Sequence, residues 1–108
     1  MNWIELHELH QLENIKENSF AKTQVIYKHS KTCSISKVVY SRLNSSKELI
    51  DADFYCLDLL AHRGISNAIA EMFGVPHESP QILVIKNGIC IFNESHTAIQ
   101  MYDVAGHA

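Results

Sequence analysis

The segment Cys33-Ser34-Ile35-Ser36 follows the apolar run Val25-Ile26-Tyr27 after a short polar stretch, so a thiol stands where a strand gives way to a helix. A helix N-terminus presents unsatisfied N–H groups and the positive end of its dipole, and both favour anionic sulfur. Cys33 is therefore placed to act as a nucleophile. Position 36, where the second thiol of a C-x-x-C pair would stand, is Ser. The expected chemistry uses one thiol, with the second sulfur supplied by another molecule. Ser36 itself has two open readings: a hydrogen-bond donor to the thiolate, or a routine polar residue of the first helical turn.

The loop Lys28-His29-Ser30-Lys31-Thr32 gives the thiol a polar, cationic surround. Lys28, His29 and Lys31 either stabilise the thiolate and bind an acidic ligand or form a solvated charged loop; Thr32 is in reach of a capping role. Cys56 and Cys90 fall inside strand patterns and read as small buried hydrophobes, able to resolve a disulfide with Cys33 only from the surface. Three widely separated cysteines argue for reduced thiols in a cytoplasm rather than a disulfide framework. His7 and His10 lie three apart, but no Cys/His set has zinc-finger spacing, so no metal is expected.

These residues sit in a chain of 108, expected to form a single domain over residues 1–108. Composition is that of a globular protein, 46% hydrophobic and 19% charged, and the net charge of −3 gives no reason to expect a nucleic-acid partner. No apolar run approaches the roughly 18 residues of a membrane span, and the opening residues do not read as a signal peptide.

Apolar Ile4, Leu9, Leu12 and Ile15 predict a helix over residues 4–15, and residues 24–28 a strand. A helix over 33–44 would bury Ile35, Val38, Val39 and Leu43 as one stripe. Residues 54–60 read as an inner strand interrupted by Asp58, which either caps the next turn or serves as a carboxylate beneath the thiol. A helix over 65–73, capped by Ser66 or a neighbour and stopped by Gly74, leads through the turn His77-Glu78-Ser79-Pro80 to a hairpin. The hairpin pairs residues 81–86 with 89–92 across Asn87-Gly88. Ser95 would cap a last helix through Ala98, Ile99 and Tyr102, and the tail 105–108 should fray. The first two strands should be parallel and the hairpin should add an antiparallel one, an α/β mixed four-stranded sheet with helices on both faces.

This order, with Cys33 after the first long strand and Pro80 opening the hairpin, resembles a thioredoxin-like fold over nearly the whole chain. Residues 28–36, Ile65-Ser66-Asn67, His77-Glu78-Ser79-Pro80-Gln81 and Asn93-Glu94-Ser95-His96 together resemble the YtxJ family, monothiol bacilliredoxins of bacteria that use bacillithiol. That resemblance implies a cis peptide at Ser79-Pro80 beside the active cysteine, with the Ser79 backbone free to pair with an extended thiol substrate. The family's usual Thr-Cys-Pro-Ile-Ser carries Ser34 here in place of Pro, which leaves an extra N–H near the sulfur.

The implied activity is thiol–disulfide exchange, with Cys33, Ser36 and Thr32 as catalytic residues and Lys28, His29, Lys31, Ser79 and Pro80 around the substrate. No cofactor is expected to stay bound; bacillithiol is the co-reactant and S-thiolated proteins are the partners. Two rivals share the fold: a thiol sensor that does not turn over, and an interaction module in which Cys33 is inert.

Overall fold

The computed structural model describes residues 1–108. Its elements are β1 (Ile4–Glu5), α1 (His10–Asn18), β2 (Thr23–His29), α2 (Ser34–Ser45), β3 (Ala52–Asp58), α3 (Arg63–Phe73), β4 (Gln81–Lys86), β5 (Ile89–Ser95), a 3-10 turn (His96–Ala98) and α4 (Met101–His107). The sheet has five strands in the order β1-β3-β2-β4-β5. Strand β3 runs parallel to β1 and β2, while β4 runs antiparallel to β2 and β5. The expected mixed sheet is present, with one strand more than the four expected.

Strand β2 is buried along its whole length and divides the core by its pleat. Ile26 faces one side, packed with Leu12 and Ile15 of α1 and with Ile65 and Ile69 of α3. Val25 and Tyr27 face the other, packed with Val39 and Leu43 of α2 and with Met101 and Val104 of α4. Helices therefore cover both faces, and α2 and α3 both begin at the end of the sheet where β2 and β3 finish.

Several expectations are corrected by the structure. Residues 4–5 form an edge strand and the helix starts only at His10, because Leu6 is buried in the core while Leu9 stays exposed. In α2, Ile35 and Val38 are exposed, and the buried face is Ser36, Val39 and Leu43. Strand β3 spans Ala52–Asp58 rather than 54–60, and β5 runs on to Ser95. Ser95 precedes the 3-10 turn, Gln100 holds the N-cap position of α4, and the tail is helical to His107, with Lys86 Nζ donating to the Ala108 carbonyl at 3.1 Å.

Two turns are as the residue types dictate. Gly74 ends α3 at φ 67°, and Asn87-Gly88 closes the hairpin with φ 54° and 80°, the left-handed pair of a tight hairpin turn.

Candidate active site

Cys33 occupies the N-cap of α2 in extended conformation, φ −94° and ψ 121°, and is half-buried. Its N–H donates to the Ser30 carbonyl at 3.2 Å, and its carbonyl accepts from Lys37 N–H at 3.0 Å. The amides of Ser34, Ile35 and Ser36 have no backbone acceptor, so the open end of the helix stands beside the thiol. The N-cap side chain forms no capping hydrogen bond, which leaves the sulfur uncommitted.

Beneath the cysteine, Ser36 is fully buried and its hydroxyl is the hub of a polar network. Ser30 N–H donates to Ser36 Oγ at 3.0 Å, and Oγ lies 2.6 Å from His29 Nδ1. The Tyr27 hydroxyl donates to the Ser36 carbonyl at 2.9 Å and lies 3.2 Å from Oγ. Burial holds the His29 imidazole below its ordinary pKa, partly opposed by Asp58 and reinforced by Lys31 and Lys37. His29 Nδ1 and Ser36 Oγ share one hydrogen bond, whose direction follows the imidazole tautomer. Burial also pushes the Tyr27 phenol up to about 12, so it remains a donor.

This network closes the two open readings of Ser36 in a third way. The hydroxyl serves neither the sulfur nor solvent; it ties the end of β2 and Ser30 to the first turn of α2. The residue that stands where a resolving thiol would be is thus what holds the Cys33 loop in place.

Around the network is an aromatic wall. His29 stacks on Tyr40 at 4.6 Å between ring centroids, and Tyr40 stacks on Trp3 at 5.9 Å. With Glu5, Lys31, Cys56 and Asp58 these rings line a cleft of about 250 Å³. Cys56 is half-buried, and desolvation pushes its thiol up to about 11. Cys90 is also half-buried, and desolvation raises its thiol too. Asp58 ends β3 and accepts from the Leu60 and Ala61 amides at 3.2 and 3.4 Å, with Lys31 Nζ 3.6 Å away. Of its two readings, the capping one is what the geometry shows.

The expected site residues divide between two faces. His29 and Lys31 are on the Cys33 side, but His29 is buried in the Ser36 network rather than presented in a loop. Lys28 is corrected: it lies within β2, fully buried on the opposite face, because the strand continues to His29 and the pleat turns position 28 toward α3. Its Nζ lies 3.4 Å from the Ser66 carbonyl and 3.3 Å from His77 Nδ1. Thr32 is exposed and caps nothing, since Cys33 itself holds the N-cap position. Ser66 is likewise no cap; His62 holds that position in α3, and Ser66 Oγ lies 3.1 Å from His77 Nδ1 inside the first turn and a half. The Ser79-Pro80 peptide is cis, Pro80 is buried, and pairing of Lys28 with Gln81 places Pro80 at the sheet end from which the Cys33 loop emerges.

Sequence pattern does not reveal Tyr27, Tyr40 and Trp3 as site residues. Tyr27 reads there only as an apolar strand position, and its hydroxyl bond to Ser36 spans nine residues that no local pattern links.

A single thiol at a helix N-cap, over a buried serine and at the end of a mixed sheet covered on both faces, defines a one-cysteine thiol–disulfide oxidoreductase of thioredoxin fold. The family described as monothiol bacilliredoxin BrxC matches residues 4–104, and this chain belongs to it. A solved structure described as an oxidoreductase candidate with a thioredoxin fold is 33% identical, with TM-score 0.81 over 95% of this chain and 90% of that one. Thioredoxin from Schistosoma mansoni, 21% identical, superposes with TM-score 0.75 over 98% of this chain and 94% of its own. Thioredoxin from Malassezia sympodialis, 15% identical, does so with TM-score 0.75 over 97% and 87%. The last two establish likeness of fold alone.

Proposed function

We propose that Cys33 removes bacillithiol from mixed disulfides on proteins. The observation that carries this reading is the uncommitted Cys33 sulfur above a Ser36 hydroxyl already engaged by His29, Ser30 and Tyr27. Position 36 carries no thiol and burial keeps the Cys56 thiol protonated, so resolution falls to a thiol from outside.

In the first step the Cys33 thiolate attacks the bacillithiol sulfur of the mixed disulfide. A Cys33–bacillithiol disulfide forms, the old S–S bond breaks, and the protein leaves as its thiolate. In the second step the thiolate of another bacillithiol attacks the bacillithiol sulfur of that adduct. Oxidised bacillithiol leaves, and Cys33 returns as thiolate with no net change in the enzyme. The Ser79 main chain makes no hydrogen bond and is free to pair with an extended substrate, while exposed Ile35 and Val38 offer an apolar surface on the same helix. Lys31 supplies an exposed cation in the loop, and Thr32, also exposed, immediately precedes Cys33. No cofactor stays bound, the partners are a small thiol and S-thiolated proteins, and three unpaired cysteines suit a reducing cytoplasm.

The test is turnover: a bacillithiolated protein in excess over enzyme, with reduced bacillithiol present, followed by release of the protein thiol. Several turnovers per enzyme, abolished by Cys33→Ser, support the proposal. One equivalent released and then arrest marks a thiol sensor; undiminished release by Cys33→Ser rejects the assignment of Cys33.

A further inference from the structure

We propose that the small cavity at the first turn of α3 seats a carboxylate of the acidic thiol whose sulfur Cys33 attacks. This inference rests on the function proposed above and adds a specificity site to it.

The topology puts the cavity at the same end of the sheet as the thiol. The crossover β2-α2-β3 lies over one face of the sheet and β3-α3-β4 over the other, so two helices start from neighbouring strand ends and diverge. A crevice at the carboxyl ends of strands, where crossovers change face, is the general ligand position of open α/β sheets. Leu59 N–H donates to the His29 carbonyl at 3.0 Å, which joins the turn before α3 directly to the strand that leads to Cys33.

The chemistry of the cavity is anion-binding. It holds about 90 Å³ and is lined by Leu59, Arg63, Ser66, Asn67 and His77. That is room for about three water-sized groups at ~30 Å³ each, the size of one carboxylate. The Arg63 guanidinium and the Asn67 amide make no hydrogen bond or ion pair within the chain, and the Arg63 and Gly64 N–H groups have no backbone acceptor. Two segments that stand out in the sequence, Ile65-Ser66-Asn67 and His77-Glu78-Ser79-Pro80, meet here, with Ser66 Oγ 3.1 Å from His77 Nδ1.

An independent observation lies behind the wall. Lys28 is fully buried, its Nζ touches the Ser66 carbonyl and His77 Nδ1, and no carboxylate comes within ion-pair distance of it. A buried ammonium with only neutral partners is costly, and an anion held by Ser66 and His77 on the far side would offset that cost. Glu78, the acid beside His77, is turned toward His96 at 3.1 Å. The cleft on the other face is the wrong sign for this ligand: Glu5 and Asp58 line it, and Asp58 already holds its one lysine, Lys31. Bacillithiol is acidic through its malyl group, and the α3 cavity is the place at this end of the sheet that matches it.

The experiment compares two disulfide substrates of the same protein thiol, one capped by bacillithiol and one by neutral 2-mercaptoethanol. The ratio of kcat/KM for the acidic over the neutral cap should fall about fivefold in Arg63→Ala, the loss of a partly exposed charge contact, and through KM rather than kcat. Asn67→Ala should move it in the same direction. An unchanged ratio, with exchange through Cys33 intact, overturns the subsite and leaves the proposed function standing. Absence of exchange in the wild-type protein defeats the proposed function instead. In that event amide shifts on adding malyl glucosaminide, which lacks the thiol, decide the subsite alone. Shifts confined to the start of α3 and lost in Arg63→Ala support it. No shifts there, or shifts with inorganic phosphate only, overturn it.

Discussion

Replacing Ser36 with Ala removes one oxygen and strands two buried groups. Ser30 is 7% and His29 6% exposed, so neither the Ser30 N–H nor His29 Nδ1 finds water in place of Oγ. Tyr27 keeps its bond to the Ser36 carbonyl. At ~1–2 kcal/mol for each buried group left unpaired, Ser36→Ala should cost about 2–4 kcal/mol. For a chain of this size that lowers Tm by roughly 9–18 °C. Urea unfolding and calorimetry measure the two quantities independently. The double variant with Tyr27→Phe should show non-additivity, because both residues belong to one network. A Ser36→Ala protein within about 0.5 kcal/mol of wild type would refute the assignment of Ser36 as the tie between β2 and α2.

Three further outcomes rest on burial of titratable groups. Alkylation near pH 8 with peptide mapping should label Cys33 well before Cys56, whose thiol at about 11 leaves roughly a thousandth as thiolate; equal rates would contradict the burial argument. His29 and His77 both have pKa values lowered chiefly by burial, so below the unfolded value of about 6.5 the unfolded chain binds more protons and stability falls with acidification, while above it the curve is flat. The urea midpoint should therefore drop between about pH 7 and 5, and His29→Asn should flatten that drop; an identical slope in the variant would exclude His29 as a contributor. Lys28 is lowered by burial from 10.5 to about 8, so its charge opposes folding fully below pH 8 and less as pH rises toward 10.5. Lys28→Met should stabilise the protein by about 2–3 kcal/mol at neutral pH after allowance for screening, with the gain shrinking in alkali; a destabilised variant at neutral pH would contradict this.

The parts of the site that depend on short-range pattern were legible in the sequence. Cys33 at a strand-to-helix junction, Gly74 and Asn87-Gly88 are local signals, and the structure places each where its residue type directs. The burial of Lys28 was not legible, because a residue at a strand-to-loop boundary reads either way until its partner is known, and pairing with Gln81 keeps Lys28 within β2. The buried stripe of α2 escapes the pattern for a related reason. Hydrophobicity selects the phase that includes Ile35 and Val38, whereas the observed phase buries Ser36 for its hydrogen bonds, and three of those partners lie in β2 or the loop after it. The edge strand Ile4–Glu5 carries no sequence signal because two residues have no period; it exists through pairing with Tyr55 and Cys56, far along the chain.

The central claim, that Cys33 alone carries exchange with a small acidic thiol, is tested most directly by mass spectrometry after incubation with oxidised bacillithiol. One adduct is expected, mapped to Cys33, removed by added reduced bacillithiol and absent in Cys33→Ser. No adduct, or one shared among Cys33, Cys56 and Cys90, would contradict it.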